Sequence, residues 1–369
     1  MGAIVIHAVG DVGPRRENAS SIFAHTPELG ECDVLFGQME TVLTDHLSPS
    51  PSAKLAMRSP PDTVQALKAA GFHAMSVAGN HAMDYGAIGL IDTVGLLSDA
   101  GIVPCGGGAN LAEARKPAVI EAKGRRVAFL AYSSILPAGY AAEANKPGCA
   151  PMWAHTHYEQ IEPDQPGTGA RVRSFADAAH LAALLEDVKA AKAQADVVAV
   201  SLHWGVHFVR AVLADYQREV AHAAIDAGAD MIIGHHPHLL KAIEIYRGKP
   251  VFYSLGNFAI EQPSAFKDDV HLDRAFKDIS RLGGKWSPGA KYMIPPETRH
   301  TVVARCEVGR DGAVAVRLRP HWIDDASDPH ALEASDPRFG DVLAYLSEVT
   351  IEAGLSTRFR IADGEIVVG

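Results

Sequence analysis

Several features that mark large classes of proteins are missing from this sequence or scarce in it. It has only 4 cysteines in 369 residues, without a CxxC pair, so neither a disulfide framework nor a thiolate zinc site is expected. The formal net charge of -10 argues against a nucleic-acid partner, because phosphate backbones are bound by basic surfaces. No run reaches the roughly 18 apolar residues that a membrane helix needs, and Asp11 interrupts the apolar start before a signal peptide could form. We therefore expect a cytoplasmic protein that binds neither nucleic acid nor a membrane.

What the sequence does contain is typical of an α/β fold. Hydrophobic residues make up 47% of the chain, and short apolar runs alternate with longer amphipathic stretches, as in strands that are buried on both faces and covered by helices. The predicted strands are 4–9, 34–36, 74–78, 127–132, 197–202, 231–233, 251–255, and a hairpin of 302–308 with 313–319. The predicted helices are 62–70, 87–100, 175–193, 215–227 and one near 339–353.

The domain organisation that we expect is one catalytic domain over residues 1–325, followed by a C-terminal extension, 326–369, that packs on the core. Two stretches inside the domain, 137–173 and 262–299, show no regular periodicity. Both are long for connections in a compact domain, so we interpret them as disordered segments or as candidate lids.

Polar side chains follow one predicted strand after another, at the point where each strand ends. They are Asp11, Glu40, Asn80 with His81, His203, and the cluster His235, His236 and His238. Because open α/β sheets bind ligands outside the carboxyl ends of their strands, we expect these side chains to converge. A mixture of carboxylate, amide and imidazole ligands suits Zn²⁺, Mn²⁺ or Fe²⁺.

Each of these elements also has a structural interpretation when it is taken alone. A Gly-Asp pair after a strand is usually a turn, and Glu40 could be a carboxylate at a helix start. The cluster at 235–238 is harder to explain by packing, because three imidazoles stand within four positions. Two divalent ions bridged by a carboxylate and a hydroxide can generate a nucleophile near neutral pH. The pattern therefore predicts a metal-dependent hydrolase with two divalent ions.

These residues belong to motifs that occur in a fixed order over roughly residues 1–260. The motifs are GD (10–11), MET (39–41), GNHAMDYG (79–86), SLHWG (201–205), GHHPH (234–238) and YSLGNF (253–258). In this order they resemble the CapA-like family, which is named for poly-γ-glutamate capsule synthesis and is related to the calcineurin-like metallophosphoesterases. The resemblance implies a four-layer αββα sandwich.

The resemblance also implies roles for individual residues. Asp11, Glu40, Asn80, His203 and the 234–238 cluster match the metal ligands of the superfamily, and His81 matches its general acid. Three departures stand out: Gly13 occupies the place of a usual histidine, Gln38 occupies that of an asparagine, and the last motif has an extra residue. Either His235 or His236 could therefore pair with His238, and we prefer His235 by a narrow margin.

Further candidates lie beside these motifs. Asp84 could orient His81 or cap the following helix. His207 and Asn257 could face the substrate, or be a loop histidine and a turn asparagine. His155 and His157 could line a substrate pocket within the first candidate lid.

The predicted activity is cleavage of an ester, phosphoester or amide-type bond in a small-molecule substrate. The alternative is a non-catalytic CapA-like factor that helps to bind or assemble poly-γ-glutamate or a related polymer, and Gly13 is the best argument for it. The sequence leaves the substrate, the metal and the oligomeric state open.

Overall fold

The computed structural model describes residues 2–262, 274–287 and 289–369. Its strands are β1 (Ile4–Gly13), β2 (Val34–Met39), β3 (Val42–Leu43), β4 (Arg58–Ser59), β5 (Ala74–Ser76), β6 (Val103–Cys105), β7 (Gly107–Gly108), β8 (Ala118–Ala122), β9 (Arg125–Ser133), β10 (Gly148–Cys149), β11 (Ala154–Gln160), β12 (Ala170–Ala176), β13 (Val197–His203), β14 (Met231–His235), β15 (Ile243–Tyr246), β16 (Lys249–Phe252), β17 (Asn257–Ile260), β18 (His300–Val308), β19 (Val314–Ile323), β20 (Pro329–Ala331), β21 (Phe359–Ala362) and β22 (Glu365–Val368). Its α-helices are α1 (Thr63–Ala69), α2 (Gly86–Asp99), α3 (Leu111–Ala114), α4 (Ala178–Lys192), α5 (Asp215–Asp226), α6 (Arg274–Leu282) and α7 (Pro337–Glu352). Short 3₁₀ turns occupy Ala19–Phe23, Pro27–Gly30 and Pro296–Arg299.

Two large sheets organise these elements. The ten-stranded sheet runs in the order β21-β22-β19-β18-β1-β2-β5-β6, with β17 also paired to β1 and β20 to β19. The six-stranded sheet runs β15-β16-β14-β13-β9-β8. Strands β1, β2, β5 and β6 are mutually parallel, as are β9, β13, β14 and β16. The central strands therefore have their carboxyl ends at one edge of each sheet.

The six-stranded sheet is buried on both faces, as the apolar runs predict. Phe129 on β9 faces the other sheet, where its ring stacks on Phe36 with centroids 4.5 Å apart. The next residue, Leu130, points the other way and shares a second apolar core with Leu184 of α4 and Val220 of α5. Because side chains alternate along a strand, one apolar run supplies both cores.

The outer face of the ten-stranded sheet is covered by α1 and the first 3₁₀ turn. Leu67 of α1 and Ile22 are fully buried in the core of this sheet, and the rings of Phe23 and Phe72 meet edge to face with centroids 6.0 Å apart. The four-layer αββα sandwich that the resemblance implies is confirmed.

Residues 137–173 are more regular than the sequence suggests. They include β10 and most of a hairpin, β11 with β12, whose strands pair from Ala154↔Ala176 to Gln160↔Ala170. The expectation of irregular structure is wrong there, because nearly every hairpin residue is exposed and such strands need no apolar alternation. Phe175 belongs to β12 rather than to the predicted helix, and Asp177 caps α4 by accepting from the amides of Ala179 and His180.

The second candidate lid falls partly outside the described residues, which omit 263–273 and 288. Beyond α6, the side-chain oxygen of Gln262 accepts from the amides of Met293 and Ile294, at 2.6 and 3.3 Å. In the C-terminal extension, β20 and β22 both pair with β19, so this segment continues the ten-stranded sheet. Within the described ranges, no helix is both long and apolar enough to cross a bilayer.

Candidate metal centre

Strand register brings several of the predicted site residues to one place. His203 at the end of β13 lies directly opposite His235 at the end of β14. On β1, Asp11 is paired with both Gln38 of β2 and Asn257 of β17. His203 and His235 share the inter-sheet face of their strands, since each lies an even number of residues from core residues on that face.

The segment that links β16 to β17 passes very close to β1 beside Asp11. A Cβ atom on Gly10 would lie 2.1 Å from the carbonyl oxygen of Gly256, and the amide of Asp11 donates to that same oxygen at 2.9 Å. Here the chain crosses from β16 in one sheet to β17 in the other. Glycine at position 10 is therefore a steric requirement of the site.

One group of side chains surrounds Asp11. Its Oδ1 lies 3.4 Å from Nδ1 of His235, and its Oδ2 lies 3.2 Å from Nδ1 of His238. That nitrogen of His238 also lies 2.8 Å from Oδ1 of Asn257. If Asn257 accepts this hydrogen bond, the tautomer leaves Nε2 of His238 as an acceptor, which is the form that binds a metal.

A second group surrounds Asn80. Its Oδ1 lies 2.6 Å from Nε2 of His203 and 3.2 Å from Nδ1 of His236. The other ring nitrogen of His203 lies 3.7 Å from Oε2 of Glu40. His236 and His238 both have left-handed backbones, with φ of 92° and 56°, a strained conformation that is common where a turn aims side chains at a site.

The hydrogen bonding of this cluster is incomplete. Within the described part of the chain, neither carboxylate oxygen of Asp11 or Glu40 has a hydrogen-bond partner, and the same holds for Nδ1 of His203 and both ring nitrogens of His235. All four residues are at most 1% exposed. Leaving such groups unsatisfied costs about 1–3 kcal/mol each, and more when they are charged. Asp11, Glu40 and His238 offer ligand atoms within 4.8 Å of one another, so the donor set fits a cation.

Burial shapes the ionisation of these residues. Burial raises the pKa of Glu40 well above its ordinary value, and the charges of Asp11 and Asp84 raise it further. Burial acts in the same direction on Asp11, but His235 and His238 outweigh it, and the pKa of Asp11 is lowered. Burial lowers the pKa of His203 and His236 well below the usual value, which keeps these imidazoles in the neutral form that ligates metals.

His81 is held by an acidic partner. Its Nδ1 lies 2.7 Å from Oδ2 of Asp84. That oxygen accepts from the amide of Met57 at 2.8 Å, while Oδ1 accepts from the hydroxyl of Tyr140 at 3.2 Å. Asp84 does not cap α2, which begins without a side-chain cap. The arrangement leaves Nε2 of His81 available to other partners. No sequence motif marks Tyr140 as a residue of the site.

Comparison with known proteins agrees with these motifs. The family described as bacterial capsule synthesis protein PGA_cap matches residues 1–262. The chain belongs to this family. It is 32% identical over 250 residues to the PGA biosynthesis protein CapA of Bacillus subtilis, and the aligned region covers 67% of this chain and 58% of that protein. It is 36% identical over 229 residues to a probable polyglutamine synthesis accessory protein of Mycobacterium tuberculosis, which covers 61% of this chain and 55% of that protein.

The match to the curated PGA_cap relatives therefore takes in little more than half of their length. A solved structure of a novel phosphatase from Mycoplasma pneumoniae is similar over 92% of this chain and 97% of that one, with a TM-score of 0.45 and 14% identity. That degree of likeness is too low to assign an activity.

The departure at Gly13 has a packing explanation. A Cβ atom there would lie 2.8 Å from Cγ2 of Thr41 and 3.3 Å from Cγ1 of Ile260. A larger residue at position 13 would therefore require Thr41 to shift.

Both His235 and His236 reach the cluster, on different sides. His235 lies beside Asp11, whereas His236 shares Asn80 with His203. The sequence led us to prefer His235 over His236 as the partner of His238. In the structure the turn after β14 places these two adjacent residues on different sides of the cluster.

His207 also joins the cluster, through the loop that follows β13. Its ring lies 4.9 Å from the ring of His236, and the neighbouring Phe208 stacks on His238 at 5.2 Å. Burial, followed by the charges of His238 and His81, lowers the pKa of His207 to about 3. Lys241 holds this loop by donating to the carbonyls of Val209 and Val212. The sequence contained no motif that marks Phe208 or Lys241.

His155 and His157 are placed elsewhere, on the exposed hairpin of β11 and β12. Nε2 of His155 lies 3.0 Å from Oδ2 of Asp177, and its ring is near Phe175. Among the residues that the structure describes, no contact links either histidine to the side chains around Asp11 and Asn80.

Proposed function

We propose that this chain is a metal-dependent hydrolase that holds two divalent ions, Mn²⁺, Zn²⁺ or Fe²⁺, where the two sheets meet. Its substrate would be a small molecule with an ester, phosphoester or amide-type bond. The observation that carries the proposal is the set of buried carboxylates and imidazoles without hydrogen-bond partners. The 4 cysteines are free, and all but Cys32 are buried, which suits the expected cytoplasmic location.

The contacts suggest how the ligands would divide. Asp11 and His238 would hold one ion, since both belong to the group whose ligand atoms lie within 4.8 Å of one another. Asn80, His203 and His236 would hold the other, because one amide oxygen already contacts both rings. Glu40 would serve both, as it belongs to the cluster with Asp11 and lies 3.7 Å from His203.

Two ions bound there would supply Lewis acidity and activate water for attack. His81 would donate a proton from Nε2 to the leaving group. Asp84 is a positioning residue in this scheme, since it holds Nδ1 of His81 and is itself held by Met57 and Tyr140. Burial of the cluster strengthens each of these interactions by excluding water.

The second candidate function is a non-catalytic factor for assembly of poly-γ-glutamate or a related polymer. Gly13 favours it, because a ligand position of the superfamily is blocked by Thr41 and Ile260. The relative from Mycobacterium tuberculosis, which is named as a probable accessory protein, also favours it.

The test is metal content combined with hydrolysis. The purified protein is reconstituted with Mn²⁺, Fe²⁺ or Zn²⁺ and analysed by elemental mass spectrometry, and p-nitrophenyl esters of phosphate and acetate and a p-nitroanilide are offered before and after chelation. We expect about two equivalents of metal and chelator-sensitive turnover of one substrate class.

Two variants make this test specific. Asp11→Asn should lose metal and turnover together, while Asp99→Asn, on an exposed position of α2, should lose neither. Stable metal binding without any turnover would favour the assembly factor, and a chain that binds no metal would exclude the hydrolase.

A further inference from the structure

One buried polar atom at the site has no place in the ligand set proposed above: Oε1 of Gln38. Gln38 is fully buried on β2, where it lies opposite Asp11 on one side and Ser76 on the other. Its Oε1 has no hydrogen-bond partner among the described residues. A buried amide oxygen in this state is destabilising unless something else satisfies it.

The orientation of this amide is determined by its other end. Nε2 donates to the carbonyl oxygens of Met39 and Ala78, each at 3.2 Å. Turning the amide over would break both bonds and place Oε1 against two acceptors, which it cannot pair with. Oε1 therefore faces away from these carbonyls.

The amide lies beside the second group of ligands. Nε2 of Gln38 and Cε1 of His203 are 3.1 and 3.4 Å from the point where a Cβ atom of Gly79 would stand. Gly79 thus lets the amide and the ring approach each other. The ring of His203 is also the one that faces Glu40, at 3.7 Å.

We propose that Oε1 of Gln38 is an oxygen ligand of the metal centre, on the side of His203 and Glu40. The inference rests on the proposed function, since it needs an ion at that centre. A neutral amide would add a ligand without adding charge to the buried carboxylates Asp11 and Glu40. It would compensate for the histidine that is replaced by Gly13 in this chain. A further hard oxygen ligand would also shift the metal preference from Zn²⁺ towards Mn²⁺ or Fe²⁺.

The test replaces Gln38 by leucine and measures the metal rather than the activity. The full chain is titrated with Mn²⁺ by calorimetry and with Co²⁺ by visible absorption, which intensifies when an ion loses a ligand and its coordination number falls. Gln38→Leu should weaken one binding step about 10-fold or more and should intensify the Co²⁺ bands. Gln38→Met, which keeps the length of the side chain, replaces it if the leucine variant does not fold.

A matched control is Ser76→Ala on the neighbouring strand. Ser76 is directly opposite Gln38 and is buried, but its hydroxyl accepts from the amide of Ala78 at 3.2 Å. This control should bind Mn²⁺ and Co²⁺ as the wild type does.

The possible outcomes separate the inference from the proposed function. Unchanged metal affinity and an unchanged Co²⁺ spectrum in the Gln38 variant would overturn the inference alone. Weaker binding with an unchanged spectrum would do the same, and so would an equal effect of Ser76→Ala. A wild-type chain that binds neither ion would overturn the metal centre and the inference together.

Discussion

Replacing Lys241 by methionine should remove a pH dependence of stability that the wild-type chain carries. Lys241 is 1% exposed, and its ammonium group donates to the main-chain carbonyls of Val209 and Val212. These bonds hold the loop whose residues His207 and Phe208 contact the site histidines. Burial alone lowers the pKa of Lys241 from 10.5 to about 7.

The sign of the effect follows from the two protonation states. Between pH 7 and 10.5 the unfolded chain keeps a proton on Lys241 that the folded chain has lost, so raising the pH favours the folded state. The destabilisation is complete below pH 7 and disappears as the pH approaches the unfolded value. One pKa unit corresponds to about 1.4 kcal/mol, so the free energy of unfolding should gain about 2–3 kcal/mol between pH 6 and 9, relative to Lys241→Met.

The assay is urea unfolding of the metal-free protein at pH 6, 7, 8 and 9, followed by tryptophan fluorescence. Chelator is present throughout, because metal affinity has its own pH dependence. Taking the difference between wild type and variant cancels the titration of all other groups. Lys189→Met, at an exposed position of α4, is the control and should give a difference that is flat with pH. A flat difference for Lys241→Met as well would refute the reasoning.

Three further changes test other parts of the structure. Asp84→Asn should lower kcat about 100-fold or more at unchanged metal content, because it removes the charge that holds His81, and steady-state kinetics with the substrate from the hydrolysis screen measures it. Gly10→Ala should destabilise the fold by about 3 kcal/mol or more in urea unfolding, since the new Cβ would lie 2.1 Å from the carbonyl oxygen of Gly256. Phe36→Ala should lower the free energy of unfolding by about 3–5 kcal/mol, because it opens a cavity between the two sheets.

Each change has a control with the opposite expectation. Asp99→Asn should keep full kcat, and loss of metal in Asp84→Asn would contradict a positioning role. Gly95→Ala, in α2 with nothing within 4 Å of the new Cβ, should stabilise by about 0.5–1 kcal/mol, and an equally mild Gly10→Ala would show that the backbones can separate. Phe175→Ala, 49% exposed, should change stability by less than about 1 kcal/mol.

Much of the fold could be predicted because its strands are buried on both faces. The run 197–202 is apolar at every position except Ser201, which is typical of a strand buried on both faces, and β13 spans Val197–His203. The hairpin of β11 and β12 was missed for the opposite reason. Its residues are exposed, so neither burial nor periodicity marks it.

The site could be predicted to the same extent. Glu40 and His203 stand at the carboxyl ends of buried strands, and Asp11 stands two residues before the end of β1. Parallel strands bring such positions to one edge of the sheet. Their convergence is visible in the order of the motifs, without coordinates. The separation of His235 from His236 cannot be seen in the motifs, because it depends on the left-handed backbone conformation of His236.

The sequence by itself determined the layered α/β class and the set of side chains that could hold metal, because both follow from which residue types stand at which positions along each strand. Only the tertiary structure decided how those side chains are shared. Asn80 meets His203 and His236, Asp84 holds His81 rather than capping α2, and the segment before β17 packs closely against Gly10. These relations depend on the register and approach of segments far apart in the chain, and local sequence preferences carry no information about them.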